Sequence, residues 1–369
     1  MSIGRRELIL RAATLAAPAI LGVHPAWAEP SLKILPLGFA ATEFRGPASR
    51  VAATIASIDG YRESRPPLVG PLAVCWGQGG SAALVAAGDE IRIRPAARRA
   101  GDLAGLERGR GAIPDSRLQS AGALTIQLED PTRDYAHEAL GSAIHARALS
   151  VTERRASPPT SSPKPVQSDV AWIEAGPGAV FEDREPQVVD LDRDGSPEIL
   201  AIRSYLDRGS ALAVIGRREG TWRILAETPP DGEPFRWLNP VPGGLGAARP
   251  GEFALVRRPH LDGLLQIWRF ERNTVTLVEE KAGYANHAYS SRAQALSVGF
   301  EAEDGTTRLA IPSLDRHSLA ILSLAGGIRE IARIPLPARI LTGVASLGRG
   351  RDIHLLLGLE DGRVADLRP

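Results

Sequence analysis

The sequence predicts an all-β fold, arranged as a β-propeller of about six to seven four-stranded blades. Three features favour it: a high content of turn-forming residues, a repeated pattern of strands in the second half, and a last repeat that is incomplete. The 369 residues include 38 glycines and 29 prolines, which favours short strands and turns over long helices. A chain of this length that is 43% hydrophobic can bury a large core.

The repeated unit has a period of about 55 residues. Each unit begins with a short apolar strand, turns on Asp or Gly, and returns as a second apolar strand that is followed by a third. The first strands of three units are predicted at 198–203, 252–256 and 308–312. A hairpin cannot bury its own face, so the units must stack. A β-sandwich or a linear solenoid is the alternative, but sandwiches rarely repeat so regularly and solenoid repeats are usually shorter.

The last unit begins at 352–357 and stops at 363–367, before its final strand. In closed propellers the missing strand often comes from the N-terminal region, which hides the exposed sheet edge. The segment 72–94 reads as three strands of an earlier blade, and 95–116 as a surface excursion. A Pro- and Ser-rich connector is predicted at 156–168, within a propeller that spans 31–369.

The N-terminus has the pattern of a cleaved export signal. Arg5 and Arg6 precede an apolar segment that ends in Ala26-Trp27-Ala28, a small-x-small cleavage site. The paired arginines favour the twin-arginine type of signal. We therefore predict a signal peptide at 1–28, a periplasmic or secreted protein, and no integral membrane segment after cleavage.

Charge and cysteine content exclude several classes of function. Removal of residues 1–28 takes away three arginines and one glutamate, so the net charge of +1 becomes −1. This near-neutral balance excludes nucleic acid and anionic membrane as partners favoured by a basic field. Cys75 is the only cysteine, so no intramolecular disulfide can form.

Residues 188–200 predict a calcium site. Three aspartates on alternate positions precede a glycine, and a glutamate follows at the start of an apolar strand. Carboxylate and carbonyl oxygens are the ligands that Ca²⁺ prefers, and glycine permits the sharp turn. The expected ligands are Asp190, Asp192, Asp194, the carbonyl of Ser196, and Glu198. The alternative is an acidic turn without metal.

The motif Asp-x-Asp-x-Asp-Gly-x-x-Glu followed by Ile-Leu resembles the FG-GAP and VCBS repeats of integrin-alpha-like propellers and of exported bacterial proteins. The resemblance covers about residues 165–369 and implies Ca²⁺ bound at the edge of a propeller blade. The corresponding segment 242–252 retains glycines but no aspartate, and 300–305 retains only part of the acidic set. One calcium site is therefore expected, with a degraded second site as an open alternative.

Two polar and aromatic stretches, 235–240 and 284–292, follow the last strands of their units. In a propeller such connections reach the face around the central channel, where ligands commonly bind. The candidate ligand-binding residues are Arg236, Trp237, Asn239, Asn286, His287 and Arg292. They would offer stacking and hydrogen bonds to an anionic or sugar-like ligand. Alternatively, Trp237 and Tyr284 pack between blades while the two asparagines cap turns.

The sequence thus predicts an exported, calcium-binding module for an unknown small molecule, glycan or protein. The alternative is a periplasmic polysaccharide lyase or hydrolase that uses His287 and Arg292, which requires a pocket uniting them with a carboxylate. A third possibility is a structural partner in a larger complex, which an exposed apolar patch would support. His137 and His145 lack the spacing of a zinc protease and are predicted to be surface histidines.

Overall fold

The computed structural model describes residues 30–62, 71–96, 98–155, 168–243, 245 and 249–369. The predicted signal peptide lies outside these residues, and so does the predicted connector except for Ser168. Within the described residues, no helix is both long and apolar enough to cross a membrane.

The described strands form six antiparallel blades around a central channel, which confirms the predicted propeller. Blade 1 contains β2 (Glu43–Arg45), β3 (Leu72–Gly77), β4 (Gly80–Ala87) and β5 (Glu90–Pro95). Blade 2 contains β6 (Gln119–Ala121), β7 (Leu124–Thr132), β8 (His145–Arg154) and β9 (Ser168–Glu174). Blade 3 contains β10 (Ala179–Phe181), β11 (Gln187–Val189), β12 (Glu198–Tyr205), β13 (Gly209–Arg218) and β14 (Thr221–Glu227).

Blade 4 contains β15 (Leu238–Pro240), β16 (Glu252–Arg257), β17 (Leu264–Glu271) and β18 (Thr274–Ala282). Blade 5 contains β19 (Val298–Glu301), β20 (Thr307–Pro312), β21 (Ser318–Ser323) and β22 (Arg329–Pro335). Blade 6 contains β23 (Ile340–Leu347), β24 (His354–Leu359), β25 (Val364–Arg368) and β1 (Ser31–Ile34). Strand β10 also pairs with β8, which joins the sheets of blades 2 and 3.

The ring closes as expected, because the N-terminal strand β1 supplies the outer strand of the last blade. Strand β1 pairs antiparallel with β25, with Leu32 opposite Leu367. The last blade therefore has four strands, and β25 is not left as an exposed edge.

The core consists of layers between adjacent blades. Phe253 and Leu255 of blade 4, for example, pack in one cluster with Leu200 and Leu212 of blade 3. The second strands β3, β16 and β24 are buried along their whole length because a neighbouring blade covers each face. This explains why their sequences are continuous apolar runs.

Two helices lie in the connections of blade 1. Helix α1 (Arg50–Arg62) joins β2 to β3, and α2 (Ala100–Gly105) lies between β5 and β6. The prediction of a surface excursion at 95–116 is wrong in part, because Leu103 and Ile113 are buried in the core. A 3₁₀ turn (Gly350–Asp352) joins β23 to β24.

The connections divide between two opposite faces, since successive hairpins of an antiparallel sheet lie at alternate ends of its strands. We call the face that carries 190–197, 241–243, 249–251 and 302–306 the carboxylate face; these residues lie between β11 and β12, between β15 and β16, and between β19 and β20. The other is called the histidine face. It carries the loops 133–144, 228–237, 258–263, 283–297 and 313–317.

Candidate functional site

The acidic loop on the carboxylate face brings its three aspartates together. Oxygen atoms of Asp190, Asp192 and Asp194 all lie within 4.8 Å of one another, and the three residues are exposed. Gly195 has a φ of +87°, which turns the chain sharply enough for its amide to donate to Asp190 Oδ2 at 3.2 Å. The loop therefore holds three like charges at short range.

Glu198 completes this acidic set from inside the protein. Its side chain is fully buried, and its Oε2 atom accepts a hydrogen bond from the Leu191 amide at 3.0 Å. The Oε1 atom has no hydrogen-bond partner and lies 3.8 Å from Arg218 Nη2. Burial, reinforced by repulsion from Asp192 and Asp194, raises the pKa of Glu198 to about 7.

This donor set fits a hard divalent cation. All the side-chain groups are carboxylates, and an unpaired buried carboxylate oxygen is unfavourable unless a cation or donor meets it. Gly216 on strand β13 lies beside Glu198, and the Leu225 side chain fills the position that a Cβ atom at 216 would take. A calcium ion, when bound, would add to the positive charge of Arg218, whose Nη2 donates to Asp192 Oδ2 at 3.4 Å.

The histidine face carries a buried pair of His137 and Glu182. The Nδ1 atom of His137 lies 2.7 Å from Glu182 Oε1. Glu182 is fully buried, and its Oε2 atom accepts a hydrogen bond from Ser204 Oγ at 2.6 Å. His145 donates from Nε2 to the His137 carbonyl at 3.0 Å. The prediction that His137 and His145 are surface histidines is wrong, because blade 3 covers them.

A second imidazole pair lies beside the first. His260 and His287 are joined by a hydrogen bond of 2.8 Å between Nε2 and Nδ1, and His287 Nε2 lies 3.0 Å from the Ser291 carbonyl. A carbonyl only accepts, so His287 donates to Ser291 and accepts from His260. Burial lowers the pKa of His260 to about 4, so this imidazole is neutral at neutral pH.

Exposed aromatic rings flank these histidines. Phe235 stacks on Tyr135 with ring centroids 5.2 Å apart, and its centroid is 5.6 Å from that of His137. Tyr289 lies 6.2 Å from His137 and 5.3 Å from His260, measured between ring centroids. The exposed rings of Phe235 and Tyr289 are thus in contact with the less accessible imidazoles of His137 and His260.

The six candidate ligand-binding residues lie on the histidine face but do not form one pocket. Trp237, Asn239, Asn286 and His287 are buried, while Arg236 is partly exposed and Arg292 is exposed. Arg236 Nη2 lies 3.3 Å from Glu233, and Arg292 Nη1 lies 3.1 Å from Asp115.

The two asparagines bind the chain itself. Asn239 donates to the carbonyls of Asn286 and Gln294 at 3.1 and 2.7 Å, and Asn286 donates to the Asn239 carbonyl at 3.0 Å. Trp237 donates from Nε1 to the Glu182 carbonyl at 3.3 Å and stacks on His260. These contacts are those expected from packing between blades.

His287 and Arg292 have separate partners. The ring nitrogens of His287 are engaged by His260 and Ser291, whereas the Arg292 guanidinium faces Asp115. A lyase or hydrolase that uses these two residues requires a pocket in which both meet a carboxylate. Among the described residues, their contacts do not bring them together in this way.

Sequence reasoning missed His137, Glu182 and His260 as a group. One signal was available: four consecutive charged residues, 182–185, interrupt the apolar segment that leads into the acidic loop. Three of them, Glu182, Asp183 and Arg184, are almost fully buried. A run of buried charges between two strands is a candidate functional site.

The central channel forms a cavity of about 660 Å³ lined from all six blades. Arg45 and Arg117 lie in its wall, but Arg45 Nε is 2.8 Å from Glu107 Oε2, and Arg117 pairs with Glu185. The neighbouring lining is mainly apolar, with amide and hydroxyl groups such as Gln119 and Ser346. The wall therefore combines these paired charges with the carboxylate of Glu301 in a mainly apolar lining.

Known proteins resemble this chain only in fold. No protein-family model and no curated protein matches the sequence. A luciferin-regenerating enzyme is similar in structure with a TM-score of 0.40 and 8% identity, over 92% of this chain and 95% of that one. The β-propeller domain of Cps50 (Swd1) from Myceliophteria thermophila has a TM-score of 0.39 and 10% identity, over 82% and 90%. Sqt1 from Saccharomyces cerevisiae has a TM-score of 0.35 and 11% identity, over 64% of this chain and 56% of that one.

Proposed function

We propose that the protein is an exported, calcium-binding β-propeller that acts as a binding module for a protein partner. Propellers generally serve as rigid scaffolds on which proteins bind, because a closed ring of sheets holds its surface loops in fixed positions. The observation that carries the proposal is a set of four large apolar side chains that remain exposed on loops of the histidine face, which also carries the hairpin turn 206–208 between β12 and β13. We call these residues the apolar patch: Leu206, Phe235, Leu261 and Tyr289, which are 38%, 49%, 53% and 56% exposed.

The chemistry of this patch favours a protein over a small ligand. Large apolar and aromatic side chains that remain exposed together are unfavourable in water and are typical of interaction surfaces. Phe235 is held in place by Tyr135. The two rings stack, and the Tyr135 hydroxyl oxygen accepts a hydrogen bond from the Phe235 amide at 2.9 Å. A rigid aromatic anchor loses little conformational entropy on binding.

Site-specific photocrosslinking tests the binding face. A photoreactive residue at Phe235 in the full-length protein, expressed in its native cells, should give a discrete protein adduct. The control is the same residue at Trp172, which is 56% exposed on the outer strand of blade 2. Equal crosslinking at both positions, or none at Phe235, would overturn the proposed face.

Calcium is proposed at the acidic loop on the carboxylate face. The support is the convergence of Asp190, Asp192 and Asp194 beside the unpartnered Oε1 atom of Glu198. An ion there would fix the turn between β11 and β12, in agreement with the resemblance of this loop to FG-GAP and VCBS repeats. Its role is thus to stabilise the scaffold, on the face opposite to the apolar patch.

Thermal melts with calcium and with chelator test this site. At a concentration of about 100 times Kd, a bound ion stabilises by about 2.7 kcal/mol, which corresponds to a rise in Tm of about 5 °C. Asp192→Ala should lose this rise. Asp207→Ala is the control, because Asp207 is an exposed carboxylate on the other face. The assignment fails if calcium leaves the wild-type Tm unchanged.

Export is proposed from the sequence of residues 1–28. N-terminal sequencing of the mature protein should begin at Glu29, and replacing Arg5 and Arg6 by lysine should retain the protein in the cytoplasm. Normal export of that double variant would show that the paired arginines are not the signal.

A further inference from the structure

His354 is the first residue of strand β24 in blade 6, and its side chain is fully buried. Asp366 on β25 stands opposite Leu356, two residues further along β24, so its side chain lies on the same face of the sheet as that of His354. The Nδ1 atom of His354 lies 2.9 and 3.0 Å from the two carboxylate oxygens of Asp366, which is also buried. The imidazole is thus hydrogen-bonded to a carboxylate of its own blade.

The other ring nitrogen of His354 reaches the neighbouring blade. Its Nε2 atom lies 3.1 Å from the carbonyl oxygen of Gly88, in the turn between β4 and β5 of blade 1. Leu84 of blade 1 and Leu356 of blade 6 belong to one core cluster at the same junction. Because β1 completes the ring in blade 6, this hydrogen bond crosses the place where the ends of the propeller meet.

Both partners of His354 can only accept hydrogen bonds. A carboxylate and a carbonyl have no proton to donate, so each ring nitrogen must carry one and the ring is an imidazolium. The Asp366 carboxylate supplies the opposite charge. Burial disfavours the charged ring, but the hydrogen bonds to Asp366 and Gly88 outweigh burial and raise the pKa of His354 from its ordinary 6.5.

The elements around the imidazole bring one buried carboxylate to it. Arg368, on the same strand as Asp366, opposes the positive charge of the ring. Strands β4 and β23 have no charged residue, and β23 places Leu347 opposite His354. The other charged residues on β1 and on the adjoining turns are exposed: Lys33, Asp89, Glu90, Arg351 and Asp352. Asp366 is therefore the group that stabilises the imidazolium.

We propose that His354 is a pH-sensitive link that holds blade 6 to blade 1 while it is protonated. A neutral imidazole has one N–H group, and the carboxylate of Asp366 is a stronger acceptor than the carbonyl of Gly88. Deprotonation therefore removes the proton from Nε2 and keeps the proton on Nδ1. The lone pair on Nε2 then faces the oxygen of Gly88, so the contact between the blades becomes repulsive while the hydrogen bond within blade 6 remains.

The link is present over a defined range of pH. Because the folded pKa lies above 6.5, its stabilisation is fully present at pH values below 6.5 and is lost as the pH rises through the folded pKa. Glu198 also changes the stability with pH, between 4.5 and about 7, so the test must be local to the junction. The inference does not depend on calcium, on export or on a protein partner.

Nitrogen-15 NMR of the protein labelled at histidine tests the protonation state directly. At pH 6.5, where an ordinary histidine is half protonated, the ring of His354 should be mostly in the form with protons on both nitrogens. His354→Gln removes its signals and so identifies them. A ring of His354 that is mostly neutral at this pH would overturn the proposal.

Amide hydrogen exchange then measures the junction itself. Between pH 6.5 and about 9, the hairpin of β4 and β5 should lose about 10-fold in protection after correction for the intrinsic rate, as expected for one lost hydrogen bond to a charged group. Strand β17 of blade 4 is the internal reference and should keep its protection. An equal loss in both places, or no loss in the hairpin, would contradict the link.

Asp366→Asn is the matched variant. The asparagine amide can donate to Nδ1, so a neutral ring can still donate from Nε2 to Gly88, and the loss of protection at high pH should disappear. His317→Gln removes an exposed histidine and should keep the full loss. The proposal fails if Asp366→Asn folds and loses as much protection as the wild type. If that variant does not fold, the NMR signals of His354 and the exchange of the wild type decide the question.

Discussion

Blades 3 and 4 place a buried glutamate at the same position but balance its charge differently. Glu198 is the first residue of β12 in blade 3, and Glu252 is the first residue of β16 in blade 4. Both are buried. Glu252 is met by two guanidinium groups of the chain: Arg249 contacts Oε2, and Arg269 Nη2 lies 2.7 Å from Oε1. Glu198 has no such partner at hydrogen-bond distance for Oε1.

The residue opposite on the neighbouring strand accounts for much of the difference. Arg269 stands opposite Glu252 in the register, whereas Gly216 lies beside Glu198. Blade 4 therefore places two guanidinium groups on its glutamate, whereas in blade 3 Arg218 Nη2 lies 3.4 Å from Asp192 Oδ2 and 3.8 Å from Glu198 Oε1, too far to hydrogen-bond to that atom. The comparison teaches that the blade without aspartates pairs its glutamate with arginines, while the blade with three aspartates leaves one glutamate oxygen unpaired, at the position where we propose a calcium ion.

The largest effect is expected from Glu198→Gln in chelator. The folded pKa of Glu198 is about 7 against an ordinary 4.5, so its unfavourable contribution is absent below pH 4.5 and complete above pH 7. At pH 8 the variant should be more stable than wild type by about 3 kcal/mol, and the gap should close as the pH falls. Urea unfolding across this pH range measures it, and a less stable variant at pH 8 would contradict the comparison.

Glu252→Ala should destabilise blade 4 with or without calcium. It leaves Arg249 and Arg269 without their shared carboxylate, and a buried pair broken on one side typically loses several kcal/mol. Because Arg269 is half exposed and can be hydrated, we expect a loss of about 2 kcal/mol in the free energy of unfolding. A loss that appears only in calcium would show that blade 4 also binds the ion.

Gly216→Arg should give Glu198 in blade 3 a guanidinium partner like the one that Arg269 provides for Glu252 in blade 4. A guanidinium beside Glu198 would replace part of the charge supplied by calcium, so the calcium-dependent rise in Tm should fall to less than about half. A Cβ atom at 216 would meet Leu225 Cδ1 at 2.6 Å, so that side chain must move. Gly216→Ala is the control for this movement, and it should retain the full calcium effect.

The smallest effect is expected in blade 5. Asp304 is half exposed, and its Oδ2 atom accepts from Arg308 Nη2 at 2.9 Å. Exposed ion pairs contribute little, so Asp304→Asn should change the free energy of unfolding by less than about 1 kcal/mol. A larger loss that calcium reverses would identify a second metal site.

The fold could be predicted because the middle strands have an unmistakable pattern. Strands predicted at 198–203, 252–256 and 308–312 occur at Glu198–Tyr205, Glu252–Arg257 and Thr307–Pro312. Each is sandwiched between two blades, so its central residues are apolar, although residues near its ends, such as Glu198 and Arg257, are charged. Most inner strands are only three or four residues long, so the sequence does not mark them. Leu238–Pro240 was interpreted as part of a ligand-binding stretch for this reason, although Asn239 lies within an inner strand.

The histidine face could not be predicted because its residues are distant in sequence. His137, Glu182 and His260 come from three different blades or the connections between them, and each is unremarkable where it stands. The acidic loop, by contrast, is local: its ligands follow one another within a single turn. The spacing of residues in the sequence is therefore enough to predict the acidic loop of the carboxylate face. The residues of the histidine face are seen to be neighbours only in the closed ring.

The pairing of β1 with β25 determines how late in synthesis the propeller can complete its fold. Residues 31–34 leave the ribosome long before their partners at 364–368. The first strand must remain without its partner while nearly the entire propeller is made, and contacts so far apart in sequence form slowly. The ring can therefore close only after β25 has been made, and the four-residue strand β1 is the element that closes it.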